Sequence, residues 1–236
     1  MTKLVSLMSL TKKSLATLIP AIAASVLLAG AAAAQDAKAG DAKAGEKKAA
    51  MCIGCHGIPG YQASFPEVHK VPMIAGQGAK YVVAALGEYK KGDRKHPTMR
   101  AIAAPLSDQD MADLAAFYEQ LPKEQPKLAD KAEATPQVAE LLKKGNCVSC
   151  HGENFSKPID GSYPKLAGQH ADYLYAALKA YQVDKNPHVG RNNAIMSGMA
   201  RQYTHAELRQ LAAYFASLPG NVKTVAESRF RGGHQF

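Results

Sequence analysis

The sequence predicts an all-α protein built from two tandem domains of one kind, each with about three helices joined by long loops. The motif CIGCH at residues 52–56 returns as CVSCH at residues 147–151, and the segments that follow the two copies also match. In these segments apolar residues recur every three to four positions, as in amphipathic helices, and no stretch alternates convincingly as a strand would. Internal repetition of this kind indicates a duplicated structural unit.

The N-terminal segment has the pattern of a secretory signal peptide. Lys3, Lys12 and Lys13 precede the apolar run LATLIPAIAASVLLAGAAAA, which ends in small residues. A basic start, an apolar middle and an Ala-x-Ala end predict export, and we place the cleavage after Ala34. An uncleaved membrane anchor is the alternative interpretation of the same run. The sequence therefore predicts a periplasmic protein and leaves peripheral membrane association open.

The chain is basic, and the distribution of its charge indicates which kinds of partner to expect. The chain has a formal net charge of +9, and residues 131–236 carry more of it than residues 35–130. Such asymmetry can orient encounters with an acidic protein or an anionic surface. The basic residues are scattered and no nucleic-acid-binding motif accompanies them, so we expect no nucleic acid as a partner.

The repeated segments define the domain boundaries. PMIAGQGAKYVVAALGEY (72–89) matches PKLAGQHADYLYAALKAY (164–181), and each is followed by a second matching segment that ends in proline. Between the units lies PKEQPKLADKAEATP, whose proline and charge content predicts a linker, with the boundary near Asp130. The predicted parts are a signal peptide at 1–34, a first domain at 35–130, a second domain at 131–221 and a polar, mobile tail at 222–236.

Each domain is expected to contain three helices. AGEKKAAMCIG leads into the first motif, AKYVVAALGEYKK follows, and capping boxes open the third helix of each domain: Ser107 with Asp110, and Thr204 with Glu207. Such a unit has few apolar side chains for its length, which suggests that another group fills its middle.

The spacing CxxCH points to covalently attached haem. A four-cysteine zinc site would need the two motifs to meet in space and would leave the histidines unexplained. A thioredoxin-like dithiol needs a strand–helix context that is missing, and a simple disulfide gives the histidine no role. Haem c uses every residue, since two thiols form thioethers and the histidine binds the iron. The candidates are Cys52, Cys55, Cys147 and Cys150 for the thioethers, and His56 and His151 for the iron.

A methionine at the same point of each repeat is the candidate sixth ligand. Met99 and Met196 both precede the third helix, and a thioether is a soft donor that suits ferrous iron. Met199 is a rival to Met196, but its counterpart in the first unit is Ile102, which cannot bind iron. The histidines of these loops, His96 and His188, are more typical of solvated side chains. Four tyrosines also recur in register and are candidates for lining the haem pockets, for bonds to the haem propionates, or for helix packing: Tyr81, Tyr89, Tyr173 and Tyr181.

Taken together, the two CxxCH units, the AGQ triplets, the Met before LSDQDMADLAAFY and the basic signal peptide resemble the dihaem cytochrome c4 family of bacteria. The resemblance runs from about Gly40 to Pro219. It implies two class I cytochrome c folds, each with one covalent haem c and His/Met ligation. It also implies that the carbonyls of Pro72 and Pro164 accept hydrogen bonds from the axial histidines, which would fix the rings.

The expected function is transfer of single electrons between respiratory partners, typically toward a terminal oxidase, without transformation of a substrate. Three alternatives remain open at this point. A dihaem peroxidase-like enzyme or a gas-binding sensor would need one open iron, against which the paired methionines argue. A redox subunit of a dehydrogenase complex is compatible with the uneven charge.

Overall fold

A computed structural model describes residues 39–122 and 133–226. The predicted signal peptide, the boundary near Asp130 and residues 227–236 of the predicted tail lie outside these described residues. In the described part, no helix is long and apolar enough to cross a membrane.

The first half of the described chain is mostly helical. It contains five helices and three two-residue strands: α1 (Ala42–Lys48), α2 (Ala50–His56), β1 (Gln62–Ala63), β2 (His69–Lys70), α3 (Ala79–Lys91), β3 (Arg94–Lys95), α4 (Pro97–Ala103) and α5 (Asp108–Glu119). β1 and β2 pair antiparallel. The predicted helices thus form, and the short α4 is an addition to them.

The second half repeats this order of helices. Its elements are α6 (Pro136–Lys144), α7 (Val148–His151), α8 (Ala171–Ala180), β4 (Gly190–Arg191), α9 (Ala194–Ala200) and α10 (His205–Ser217). Both predicted capping boxes are present, at the starts of α5 and α10. The strands were not expected, because two residues are too short to show an alternating pattern.

α1 and α5 pack in close backbone contact in the first half, and Gly45 makes this contact geometrically feasible. A Cβ built on Gly45 would lie 2.0 Å from the carbonyl oxygen of Asp113. Interiors as dense as crystals cannot absorb such an overlap without moving a helix. The glycine therefore sets the distance between the two helices that support the first CxxCH motif.

We expect Gly45→Ala to lower the free energy of unfolding by about 2 kcal/mol, because the added methyl group must separate α1 from α5. Gly87→Ala is the matched control, since Gly87 is also helical but a Cβ there meets nothing within 4 Å. That control should be neutral or stabilising by about 0.5–1 kcal/mol. Urea unfolding of the two haem-loaded variants measures the difference, and equal effects would contradict the packing argument.

A buried carboxylate also ties α1 to α5. Asp113 accepts from Lys48 Nζ at 2.6 Å, Gln109 Nε2 at 2.8 Å and the backbone N of Asp41 at 2.9 Å. The backbone hydrogen bond from Asp41, followed by those from Lys48 and Gln109, lowers the pKa of Asp113 to about 2. Ionised Asp113 is therefore a stabilising group of the folded state.

Because the folded pKa lies below the unfolded value of about 3.9, this stabilisation is complete above pH 4 and is lost as the pH falls toward 2. Asp113→Asn should therefore cost most at neutral pH, and its cost should shrink across that acidic window. Denaturant unfolding at pH 7, 4 and 3 measures this, with the exposed Asp184→Asn as control. A cost for Asp113→Asn that stays constant with pH would contradict the prediction.

The core of the second half is larger and includes a buried loop residue. Phe155 is fully buried and packs against Phe215 of α10, with ring centroids 4.8 Å apart. Leu208 and Leu211 of α10 and Leu174 of α8 belong to the same buried cluster. α8 and α10 correspond to α3 and α5, so the supporting pair is repeated in both halves.

The two halves share a strand pair and two ion pairs. β3 of the first half pairs antiparallel with β4 of the second, with Arg94 opposite Arg191. Lys179 Nζ lies 2.7 Å from Glu67 Oε2, and Lys70 Nζ lies 3.9 Å from Asp172 Oδ2. In the strand pair, equivalent residues of the two repeats thus face each other, as they do in two-fold interfaces between identical subunits.

The start of the predicted tail differs from the expectation of a mobile segment. Val222 is fully buried, and the backbone N of Lys223 donates to the carbonyl of Ala75 at 2.9 Å. Val225 packs against the core of the first half. Residues 222–226 therefore return from the second half to the first, which composition alone did not indicate.

Candidate haem sites

α2 presents the first CxxCH motif at the edge of the first core. Cys52, Cys55 and His56 are all half-buried. They stand three and four residues apart in α2, so all three side chains share one face of the helix. The helix therefore presents together the two sulfurs and the imidazole that covalent haem c requires.

A hydrogen bond fixes the tautomer of His56. Its Nδ1 lies 2.8 Å from the carbonyl oxygen of Pro72. A carbonyl can only accept, so Nδ1 carries the hydrogen and Nε2 carries a lone pair. Burial lowers the pKa of His56, so the ring stays neutral. A neutral imidazole with a free Nε2 is the form that binds iron.

The second half repeats this arrangement. α7 carries Cys150 and His151, and Cys147 immediately precedes it. His151 is buried, its Nδ1 lies 3.0 Å from the carbonyl oxygen of Pro164, and burial lowers its pKa. Both histidines are therefore held by a proline carbonyl in the tautomer that leaves Nε2 available.

The two candidate methionines lie at equivalent positions in short helices rather than in loops. Met99 is the third residue of α4, and its backbone N donates to Nδ1 of His96 at 3.3 Å. Met196 is the third residue of α9, and its backbone N donates to Oδ1 of Asn193 at 3.0 Å. Each methionine is thus anchored by the side chain that caps its own helix.

The other methionines and histidines considered as sixth ligands are exposed, packed in the core or used as a helix cap. Met199 is 36% exposed, and its sulfur accepts from Nε2 of Gln202 at 3.7 Å. Met111 is buried in α5, as expected for a core residue. His188 is exposed. His96 acts as a helix cap, a role that sequence reasoning missed because its structural counterpart is an asparagine.

The four repeated tyrosines surround two arginines at the boundary between the halves. Arg94 is 4% exposed, and its Nη2 donates to the hydroxyls of Tyr81 at 3.1 Å and Tyr173 at 3.0 Å. Its guanidinium also lies 4.9 Å from the ring centre of Tyr89. Arg191 donates to the hydroxyl of Tyr173 at 3.2 Å and lies 5.4 Å from the ring centre of Tyr181.

This arginine–tyrosine cluster carries positive charge without a carboxylate. Neither arginine belongs to an ion pair among the described residues, and the buried Nε of Arg94 has no hydrogen-bond partner. Burial alone would raise the pKa of Tyr173, yet the charges of Arg191 and Arg94 lower it to about 8. A buried arginine beside a second, half-buried one needs an anion, and the propionates of haem have the required charge and acceptor atoms.

The glutamines of the AGQ triplets are repeated in the sequence, but their residue type implies no particular role. Gln77 hydrogen-bonds both the N–H and the carbonyl of Lys165, and Gln169 does the same with Met73. Each glutamine thus contacts the residue after the proline that holds the histidine of the other half. Because its partner atoms belong to the backbone, no residue type could have indicated the contact.

Comparison with known proteins agrees with this geometry. The cytochrome c family profile matches residues 42–122 and again residues 137–219. A thiosulfate dehydrogenase electron acceptor from Stutzerimonas stutzeri is 33% identical over 204 residues, which cover 83% of this chain and 92% of the relative. Cytochrome c4 from Azotobacter vinelandii is 30% identical over 187 residues, which cover 72% of this chain and 85% of the relative.

A solved structure shows the same architecture. The reduced recombinant cytochrome c4 from Pseudomonas stutzeri superposes with a TM-score of 0.57 at 29% identity, over 76% of this chain and 100% of that one. The fold and the repeated motif define a c-type cytochrome with two tandem domains. The chain belongs to the dihaem cytochrome c4 family. It therefore carries two covalently bound haem c groups and acts in electron transfer, which confirms the predicted fold class and cofactor.

Proposed function

We propose that this chain is a periplasmic carrier that passes single electrons between respiratory partners, with a terminal oxidase as the acceptor. The observation that carries the proposal is the repetition of one ligand arrangement in both domains. Each domain has a neutral histidine held by a proline carbonyl and a methionine anchored by a helix cap. Bound haem supplies a reversible one-electron change at its iron.

The proposed haem-binding residues are those named from the sequence. Cys52 and Cys55 would hold the first haem and Cys147 and Cys150 the second, with His56 and Met99, and His151 and Met196, as the respective axial pairs. The prolines, Pro72 and Pro164, orient the histidine rings. Support for Met196 over Met199 comes from exposure, because the sulfur of Met199 faces Gln202 at the surface.

Two protein ligands on each iron leave no coordination position for a substrate, which favours a carrier over an enzyme. The test is the absorption spectrum of the reduced protein before and after addition of carbon monoxide. We expect no change, because the methionine sulfurs occupy both sixth positions. A shift in about half of the haem would favour a peroxidase-like enzyme or a gas sensor with one open iron.

A dehydrogenase is the second candidate partner, on the donor side. The relative from Stutzerimonas stutzeri is by its name an electron acceptor of thiosulfate dehydrogenase. Without Lys3, Lys12 and Lys13 of the proposed signal peptide the net charge falls from +9 to +6, which would still favour an acidic partner surface. Stopped-flow mixing with reduced thiosulfate dehydrogenase tests this. Fast, salt-sensitive reduction would support such a donor, and slow, salt-insensitive reduction would count against it.

The periplasmic location is proposed from residues 1–34. N-terminal sequencing of the protein from a periplasmic fraction should begin within a few residues of Gln35. A membrane fraction that retains Met1 would instead support the uncleaved anchor.

A further inference from the structure

Gln77 connects the first domain to the backbone of a single residue of the second, Lys165. Its Oε1 accepts from the backbone N of Lys165 at 2.8 Å, and its Nε2 donates to the carbonyl of Lys165 at 3.1 Å. Since a backbone N–H can only donate, these partners fix the orientation of the carboxamide. Gln77 is 4% exposed, so water does not compete for these bonds.

Gln169 makes the mirror-image contact. Its Oε1 accepts from the backbone N of Met73 at 3.0 Å, and its Nε2 donates to the carbonyl of Met73 at 2.8 Å. It is also 4% exposed. The contact is therefore reciprocal, with each domain giving one glutamine and receiving one.

In each domain, the peptide group whose N–H donates to the other domain's glutamine also hydrogen-bonds the CxxCH histidine through its carbonyl. The carbonyl of Pro164 accepts from His151 Nδ1 at 3.0 Å, and the N–H of the same peptide group, on Lys165, donates to Gln77. Likewise the carbonyl of Pro72 accepts from His56 Nδ1 at 2.8 Å, and the N–H on Met73 donates to Gln169. One amide plane thus joins each histidine to a glutamine of the other domain.

We propose that Gln77 is a positioning residue for His151 and Gln169 one for His56, so that each domain sets the hydrogen bond of the other domain's axial histidine. The proposal rests on the axial assignment made above. Hydrogen bonds in series through an amide polarise one another, so an acceptor on the N–H makes the carbonyl a stronger acceptor. A stronger bond at Nδ1 makes Nε2 a better donor to iron, which stabilises the ferric state and lowers the potential.

The test uses the haem-loaded full chain with ¹⁵N-labelled histidine and the variants Gln77→Met and Gln169→Met. In the reduced protein, Gln77→Met should move the Nδ1–H resonance of His151 upfield, and that of His56 by clearly less. Gln169→Met should do the reverse. Stepwise oxidation followed by NMR should show a raised potential for the haem of the other domain. Gln120→Met and Gln137→Met, at exposed positions, are the matched controls and should move neither resonance.

A second variant separates loss of the hydrogen bond from a change of side-chain shape. Gln77→Glu in its buried, protonated form keeps an acceptor for the N–H of Lys165 and a donor for its carbonyl, so the resonance of His151 should stay close to that of the unmodified protein. Equal shifts at both histidines in Gln77→Met would indicate a loosened interface and overturn the proposal, as would no shift at either. Histidine ring protons without the strong upfield shift caused by a bound haem, already in the unmodified protein, would instead refute the axial assignment itself.

Discussion

Carbon monoxide should bind about half of the haem in the reduced Met196→Ala variant and none in the unmodified protein. The substitution removes the only sulfur that α9 presents from a half-buried position, while the cap from Asn193 to the backbone N of residue 196 remains. The helix should therefore persist with an open iron beside it. The potential of the second haem should also fall, because a soft thioether stabilises ferrous iron.

Met199→Ala is the control for this experiment, since it lies in the same helix and removes the same atoms from the surface. It should bind no carbon monoxide. If it did bind while Met196→Ala did not, the ligand assignment in the second domain would be reversed. Met99→Ala should reproduce the effect in the first domain, where Ile102 stands at the position of Met199 and offers no competing sulfur.

Replacing Arg94 with leucine should lower the free energy of unfolding of the haem-loaded protein by about 3 kcal/mol or more. The size of the change is informative because Arg94 and Arg191 are like charges held at one boundary. Without an anion between them, relief of this repulsion would offset the loss of the hydrogen bonds to Tyr81 and Tyr173, and the net cost would be small. If haem propionates lie there, removal leaves a buried anion without its partner. Guanidinium chloride unfolding, followed by the haem absorption, distinguishes these outcomes.

Arg209→Leu is the matched control for Arg94→Leu. Arg209 is exposed, and its guanidinium lies 4.4 Å from the ring centre of Tyr175, so a comparable cation–aromatic contact is lost without a buried charge. Its cost should not exceed about 1 kcal/mol. A neutral or stabilising Arg94→Leu would show that the propionates are held elsewhere.

The sequence alone predicts an interaction correctly wherever the residue types identify both of its partners. The motif CxxCH identifies the two thiols and the histidine that act together, and Ser107 and Thr204 predict helix starts because a capping box needs only residues three positions apart. The positions of α5 and α10 follow from those signals. The bond from Nδ1 of His56 to the carbonyl of Pro72 was expected from the family resemblance, and the structure contains it.

The boundary between the domains could not be predicted, because its contacts depend on backbone atoms and on symmetry. Gln77 and Gln169 bind peptide groups, which every residue carries. α4 and α9 were missed as helices because they are short and because their caps, His96 and Asn193, are different residue types. Both caps could have been found from their position in the repeat, because each lies three residues before the candidate methionine.

The reciprocal strand pair and glutamine contacts have an evolutionary consequence. Two-fold symmetry of this kind is that of a homodimer, so fusion of two copies of one gene would have preserved an interface that already existed. In a homodimer every substitution appears twice, and the two redox centres remain identical. In the fused chain each copy mutates alone, and the boundary has already diverged, with Lys165 opposite Gln77 but Met73 opposite Gln169. Fusion would thereby allow selection to change the reduction potential of each haem independently of the other.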